Sequence, residues 1–212
     1  MFCGSLLFGM TAACTGDGSE EEPTLSSSQV CDSTLSPSSA KSLERLASTD
    51  RFTELTGTND LGDSEKFSLK VAAKRLYRRP TERNACWIYK AGDNKGIPFL
   101  IIEFEPAAGH PSPEEQVRKA NSDRLVYPLG SYAEINGNIG TNLYFACSTK
   151  GPEGASPYVW AGMFSSSGQL APGSAPEHRM AILNDVARAM AEQLGCADEA
   201  ALPARIPEPV KR

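Results

Sequence analysis

Histidine is nearly missing from this chain, with only His110 and His178 among 212 residues. That scarcity argues against a histidine-based hydrolytic or metal centre. Long apolar runs are missing too: none approaches the ~18 consecutive apolar residues of a membrane-spanning helix, which excludes an integral transporter or channel built from them. The six cysteines form no Cys-x-x-Cys pair and have no histidine nearby, so zinc-site spacing is absent. No serine occupies a Gly-x-Ser-x-Gly elbow, and Ser165-Ser166-Ser167-Gly168 reads as a loop. Gly137-Asn138-Ile139-Gly140 lacks the strand–helix setting and the lysine of a phosphate loop. Internal repeats are not visible, and no cofactor is expected. An excess of positive charge is also lacking: the formal net charge of −5 argues against a nucleic-acid binder. What remains suits a folded chain. At 40% hydrophobic and 22% charged residues, the composition supports a real core and one medium domain.

Met1 to Cys14 is short, uncharged and apolar, and ends Ala12-Ala13-Cys14. An acidic Gly/Ser-rich stretch follows directly, as after a secretory signal. Ala12-Ala13-Cys14 resembles the lipobox of bacterial lipoproteins, which implies that Cys14 carries lipid and becomes the mature N-terminus. Ordinary cleaved secretion and a short buried helix are the competing readings. The expected organisation is a signal remnant over 1–13, an acidic tether over 14–30, one domain over 31–198 and a loose tail over 199–212. Asp17, Glu20, Glu21 and Glu22 lie in the tether, so the part from Cys31 onward carries 21 basic and 22 acidic residues.

With Cys3 lost and Cys14 lipidated, Cys31, Cys86, Cys147 and Cys196 remain. Four isolated cysteines in an exported chain read as two disulfides, with three connectivities open. The preferred pairing is Cys31–Cys86 with Cys147–Cys196. Each would close a loop of about 50 residues, worth ~4 kcal/mol in loop-closure entropy. Four buried free thiols are the alternative.

Ser36-Pro37 opens a first helix, with Leu43, Leu46 and Ala47 on its apolar stripe. A second helix is predicted over 64–77, capped by Asp63 or Ser64 and stopped by Pro80. Strands are predicted at 86–90, 99–105, 125–127, 132–135, 141–148 and 157–165, with a helical turn at 114–120 and a tight turn at Asn136-Gly137. Ser174-x-x-Glu177 has the form of a capping box. Leu183, Val186, Ala187, Met190, Ala191 and Leu194 then mark a closing helix that ends at Gly195. Short links between strands favour hairpins. The fold class is α+β: an antiparallel sheet packed with N-terminal and C-terminal helices and stapled by disulfides.

Val30-Cys31-Asp32-x-x-Leu35-Ser36-Pro37, Cys86-Trp87-Ile88-Tyr89, Leu143-Tyr144-Phe145-x-Cys147 and Leu194-Gly195-Cys196 resemble Streptomyces-type exported lipoproteins of unknown function. That resemblance covers most of 31–196. It implies an actinobacterial envelope location and a disulfide-stapled α+β domain akin to PsbP-like sandwiches, and it brings no catalytic residues.

Glu103 and Glu105 share one face of a strand. As neighbours ~6–7 Å apart they sit side by side, whereas glycosidic carboxylates face each other across a bond. Lys66, Lys70, Lys74, Arg75, Arg78, Arg79 and Arg83 stand against Glu82 alone, a net +6 over residues 66–83. On a helix, Lys66, Lys70 and Lys74 would line one face, with Phe67, Val71 and Leu76 toward the core. Such a segment suits an anionic lipid or wall polymer, weighed against a plain solvated face. Trp87 with Tyr89, Tyr144, and Tyr158 with Trp160 would form a binding platform on an open sheet face, or else pack under helices. The expected protein is a non-enzymatic binding or accessory module, anchored to the outer face of the membrane beside an unidentified envelope protein. A carrier of a small apolar ligand, or a cell-wall hydrolase, is the alternative.

Overall fold

The computed structural model describes residues 24–54, 66–93, 95–119, 124–138, 140–152 and 154–210. Cys14, the signal region, most of the tether and the expected caps at Asp63 and Ser64 lie outside the described residues.

Alternating apolar residues build the sheet. In β4 (Leu100–Ala107), Leu100, Ile102 and Phe104 are buried while Ile101, Glu103 and Glu105 face outward. β3 (Cys86–Lys90), β7 (Gly140–Gly151) and β8 (Gly154–Ser165) complete the centre. β5 (Arg124–Tyr127) and β6 (Tyr132–Asn136) extend one side, and the short β1 (Leu25–Ser26) and β2 (Arg51–Thr53) the other. The eight strands are antiparallel, in the order β1-β2-β3-β4-β8-β7-β6-β5. After β4 the chain crosses through α4 (Pro113–Lys119) to the far edge, then returns by hairpins to place β8 beside β4.

One sheet face is covered by helices. α2 (Pro37–Ala47) starts as expected, with the Ser36 hydroxyl accepting the Ser39 N–H at 3.3 Å. α5 (Glu177–Leu194) lies across β7 and packs against α2 and α3 (Leu69–Lys74). Met180, Leu183, Val186, Ala187 and Met190 enter the core, and Gly195 closes the helix at φ 77°.

Both disulfides form in the preferred pairing, Cys31–Cys86 and Cys147–Cys196. Each holds an irregular stretch of backbone. Cys31, Asp32 and Ser33, in the single turn α1 (Val30–Ser33), adopt positive φ of 49°, 60° and 59°. Such left-handed backbone is costly for residues with a Cβ. The second bridge joins a β7 irregularity between Ala146 and Thr149 to the chain just before α6 (Ala197–Ala200). There the Ser148 N–H and hydroxyl donate to Glu199, at 3.0 and 2.9 Å.

Four expectations change. The second helix is shorter: Ser68 is its N-cap, in extended conformation, and it ends at Lys74. Phe67 is buried in the core just ahead of the helix, and the Ser68 N–H is held by Asn84 Oδ1 at 2.8 Å. The capping box does not form. Ser174 is the last residue of a Pro172-Gly173 turn, donating its N–H to the Ala171 carbonyl at 3.1 Å, while Pro176 is the N-cap of α5. Chain assigned to the tether already folds, since Leu25 pairs with Phe52 and Val30 is buried. The expected loose tail is laid on the domain: Leu202 and Ile206 pack against the core, and the Pro203 carbonyl accepts from Asn184 Nδ2 at 2.8 Å.

Candidate functional site

The cationic segment does not form the single helical face its spacing predicts, because Lys66 lies before α3, outside the helix. Nor is Arg83 available. Its guanidinium is paired with Glu105, and its Nε donates to the Arg78 carbonyl at 2.9 Å. Arg75 is half-buried, whereas Lys66, Lys70, Lys74, Arg78 and Arg79 are exposed. No described residue forms an ion pair with Lys70, Lys74, Arg78 or Arg79. The segment is pinned at its far end by the Tyr77 hydroxyl, 2.8 Å from Thr149 Oγ1. The ring of Tyr77 occupies the space a side chain at Gly151 would need.

The uncovered sheet face gathers Glu103, Glu105 and Glu134 with several aromatics. Glu105, Trp160, Tyr144 and Tyr132 stand opposite one another on β4, β8, β7 and β6. Glu103, Gly162, Asn142 and Glu134 form the next row. The Trp160 ring folds over Gly162, filling the place of the missing side chain. Most polar groups here serve each other. Trp160 Nε1 donates to Asn142 Oδ1 at 3.0 Å, Asn142 Nδ2 to Glu134 Oε1 at 3.2 Å, and the Tyr132 hydroxyl to Glu134 Oε2 at 2.6 Å. Burial, reinforced by the neighbouring Glu105, pushes the Glu103 carboxyl above its usual range. Trp87 lies half-buried on the same face, but Tyr89 is buried, so the expected pair is not a platform.

No family model, curated protein or solved structure matches this chain. The reading therefore rests on geometry.

The two histidines make separate contacts. His110 packs edge-on against Tyr158, with ring centroids 4.8 Å apart. His178 Nδ1 lies 3.1 Å from Ser42 Oγ, a proximity sequence spacing does not reveal. Ser42 donates its proton to the Ser38 carbonyl one turn back, at 3.1 Å, so the hydroxyl is committed to α2. Burial and nearby Arg45 depress the His178 pKa.

Glu54 is a buried acid that sequence reasoning passed over. Phe52 and Glu54 are two apart at the end of a strand, the spacing that puts Glu54 on the buried face. Its Oε1 accepts the Cys31 N–H, and its Oε2 has no hydrogen-bond partner. Cys31, Glu54 and Cys86 bring their donor atoms within 4.8 Å of one another. Both sulfurs are spent in the disulfide, and only a thiolate is a metal ligand. Burial raises the Glu54 pKa above its ordinary value, against the lowering pull of the Cys31 N–H and Lys66. The folded protein then binds a proton that the unfolded chain releases first, so this contribution fades as pH rises through the folded pKa. Glu54→Gln keeps an acceptor for Cys31 and removes the titration. In urea unfolding at increasing pH, its stability relative to the parent should rise until the pH passes the folded pKa of Glu54 and then level off. A constant difference would contradict the assignment.

Proposed function

We propose that the chain is an envelope lipoprotein anchored through Cys14, whose domain works as a non-enzymatic binding or accessory module against an anionic surface. The observation that carries this reading is the set of exposed cations Lys70, Lys74, Arg78 and Arg79, none in an ion pair with a described residue. The two disulfides suit an oxidising, extracytoplasmic compartment. No helix among the described residues is long and apolar enough to cross a membrane. The acids support a binding role rather than hydrolysis, since Glu105 is neutralised by Arg83 and stands beside Glu103 on one strand.

A basic residue near an anionic membrane contributes ~1 kcal/mol, so four supply roughly a 10³-fold gain in partitioning. Neutralising them in Lys70→Gln, Lys74→Gln, Arg78→Gln and Arg79→Gln should abolish most cosedimentation with phosphatidylglycerol vesicles at low salt. With both proteins prepared without the Cys14 lipid, phosphatidylcholine vesicles should retain neither, and added salt should release the parent. Equal binding of both proteins to the anionic vesicles would reject the reading. A parallel measurement with teichoic acid distinguishes wall polymer from lipid as the source of the anion.

A further inference from the structure

On the open face of the sheet, the six-membered ring of Trp160 stands over Gly162, two residues further along β8. The indole Nε1 donates sideways to Asn142 Oδ1 on β7, at 3.0 Å. An indole that runs along its own strand and turns its N–H toward the next strand lies flat on the sheet. One ring face then rests on the Gly162 backbone and the other is turned outward, and Trp160 keeps part of its surface exposed. The exposed Phe164 ring meets the indole at 68°, with centroids 6.4 Å apart.

The ring is fixed in place by its neighbours. Asn142 Nδ2 donates to Glu134 Oε1, and Glu134 also accepts from Tyr132 and lies 3.4 Å from Arg124 Nε. A surface ordered in advance loses little side-chain freedom when it binds. Glu103 is the cross-strand partner of Gly162, so its side chain stands beside the indole. No hydrogen bond or ion pair joins Glu103 to a described residue, whereas Glu105 is held by Arg83 and Glu134 by Arg124. Burial next to Glu105 works against the charge on Glu103, and a cation placed there would favour it again. Charge therefore selects a cationic ligand, and shape narrows the choice. Quaternary ammonium groups are recognised by cages of several rings. A single flat indole instead offers a broad apolar surface, which matches the C–H face of a pyranose.

We propose that the open sheet face binds a glycan carrying free amino groups, with the C–H face of one amino sugar stacked on Trp160 and its ammonium on Glu103. The assignment draws on none of Lys70, Lys74, Arg78 and Arg79, so it and the anionic-surface reading can fail independently.

The test is calorimetric titration of the full chain with a glucosamine tetrasaccharide at physiological ionic strength. Cellotetraose serves as the neutral glycan control, and spermine as a cation without a sugar ring. The glucosamine tetrasaccharide should bind saturably, with both controls at least tenfold weaker. Glu103→Gln keeps the size of the side chain and should reduce glucosamine binding to the level of cellotetraose. Trp160→Leu removes the stacking surface and should weaken the glucosamine tetrasaccharide at least tenfold. If Trp160→Leu does not fold, Glu103→Gln and the two controls decide the matter. Absence of saturable glucosamine binding, or either control binding as tightly, would overturn the proposal. So would parental affinity in folded Glu103→Gln or folded Trp160→Leu. The vesicle-binding variant lacking Lys70, Lys74, Arg78 and Arg79 should bind the glucosamine tetrasaccharide at least as well as the parent, and a loss there would also overturn it.

Discussion

Replacing Cys31 and Cys86 together by alanine is expected to lower the stability of the domain by about 4 kcal/mol. The bridge spans 55 residues, and its loss frees the unfolded chain of that closure. On a domain of this size the shift in Tm is about 10 °C. The folded state also loses a restraint, because Cys31, Asp32 and Ser33 hold left-handed backbone just where the bridge is tied. Calorimetry of the double variant against the oxidised parent measures the effect. A loss below about 1 kcal/mol would mean that the turn and the Glu54 contact hold this edge without the bridge.

A comparable loss is expected from Phe145→Ala, about 3–5 kcal/mol. Phe145 is fully buried on the helix-covered face of β7, where α5 crosses. Its neighbour Tyr144 points the other way and is only half-buried. Tyr144→Ala should therefore cost clearly less, about 1–2 kcal/mol. Denaturant unfolding of both variants compares the two faces. Equal losses would contradict a core confined to one side of the sheet.

Much of the architecture is legible in local residue patterns. Alternation in Leu100, Ile102 and Phe104, the Ser36-Pro37 start and the Gly195 stop each reflect physics acting within a few residues. Expectations fail where a distant contact wins. The lysines at 66, 70 and 74 have helical spacing, but burial of Phe67 and the bond from Ser68 to Asn84 keep the first of them outside the helix. Ser174 has capping chemistry and the right distance to Glu177, yet the Pro172-Gly173 turn claims its backbone first. The tail has three prolines and no periodicity, and only the apolar Leu202 and Ile206 hint that it docks.

The candidate sites were harder to read. Arg83 looks like one more cation until the fold brings Glu105 to it from another segment. Arg179 carried a readable signal: Arg179, Leu183, Val186 and Met190 follow the spacing of one apolar stripe, so a cation was heading into the core. Its surroundings were not readable, because α2, the β5–β6 hairpin and the 170–176 loop meet around Arg179 only in three dimensions.

The docked C-terminal segment also bears on how neighbouring copies of the protein meet. β5 is an outer strand of the sheet, and its open side would offer unpaired carbonyls to any extended chain. The Val210 N–H takes the Val126 carbonyl on β5 at 2.8 Å, so the protein's own tail caps that side. At the opposite margin β1 is only two residues long, too short to recruit a partner strand. Both margins of the described sheet thus offer little to a partner strand, which disfavours copies joining edge to edge.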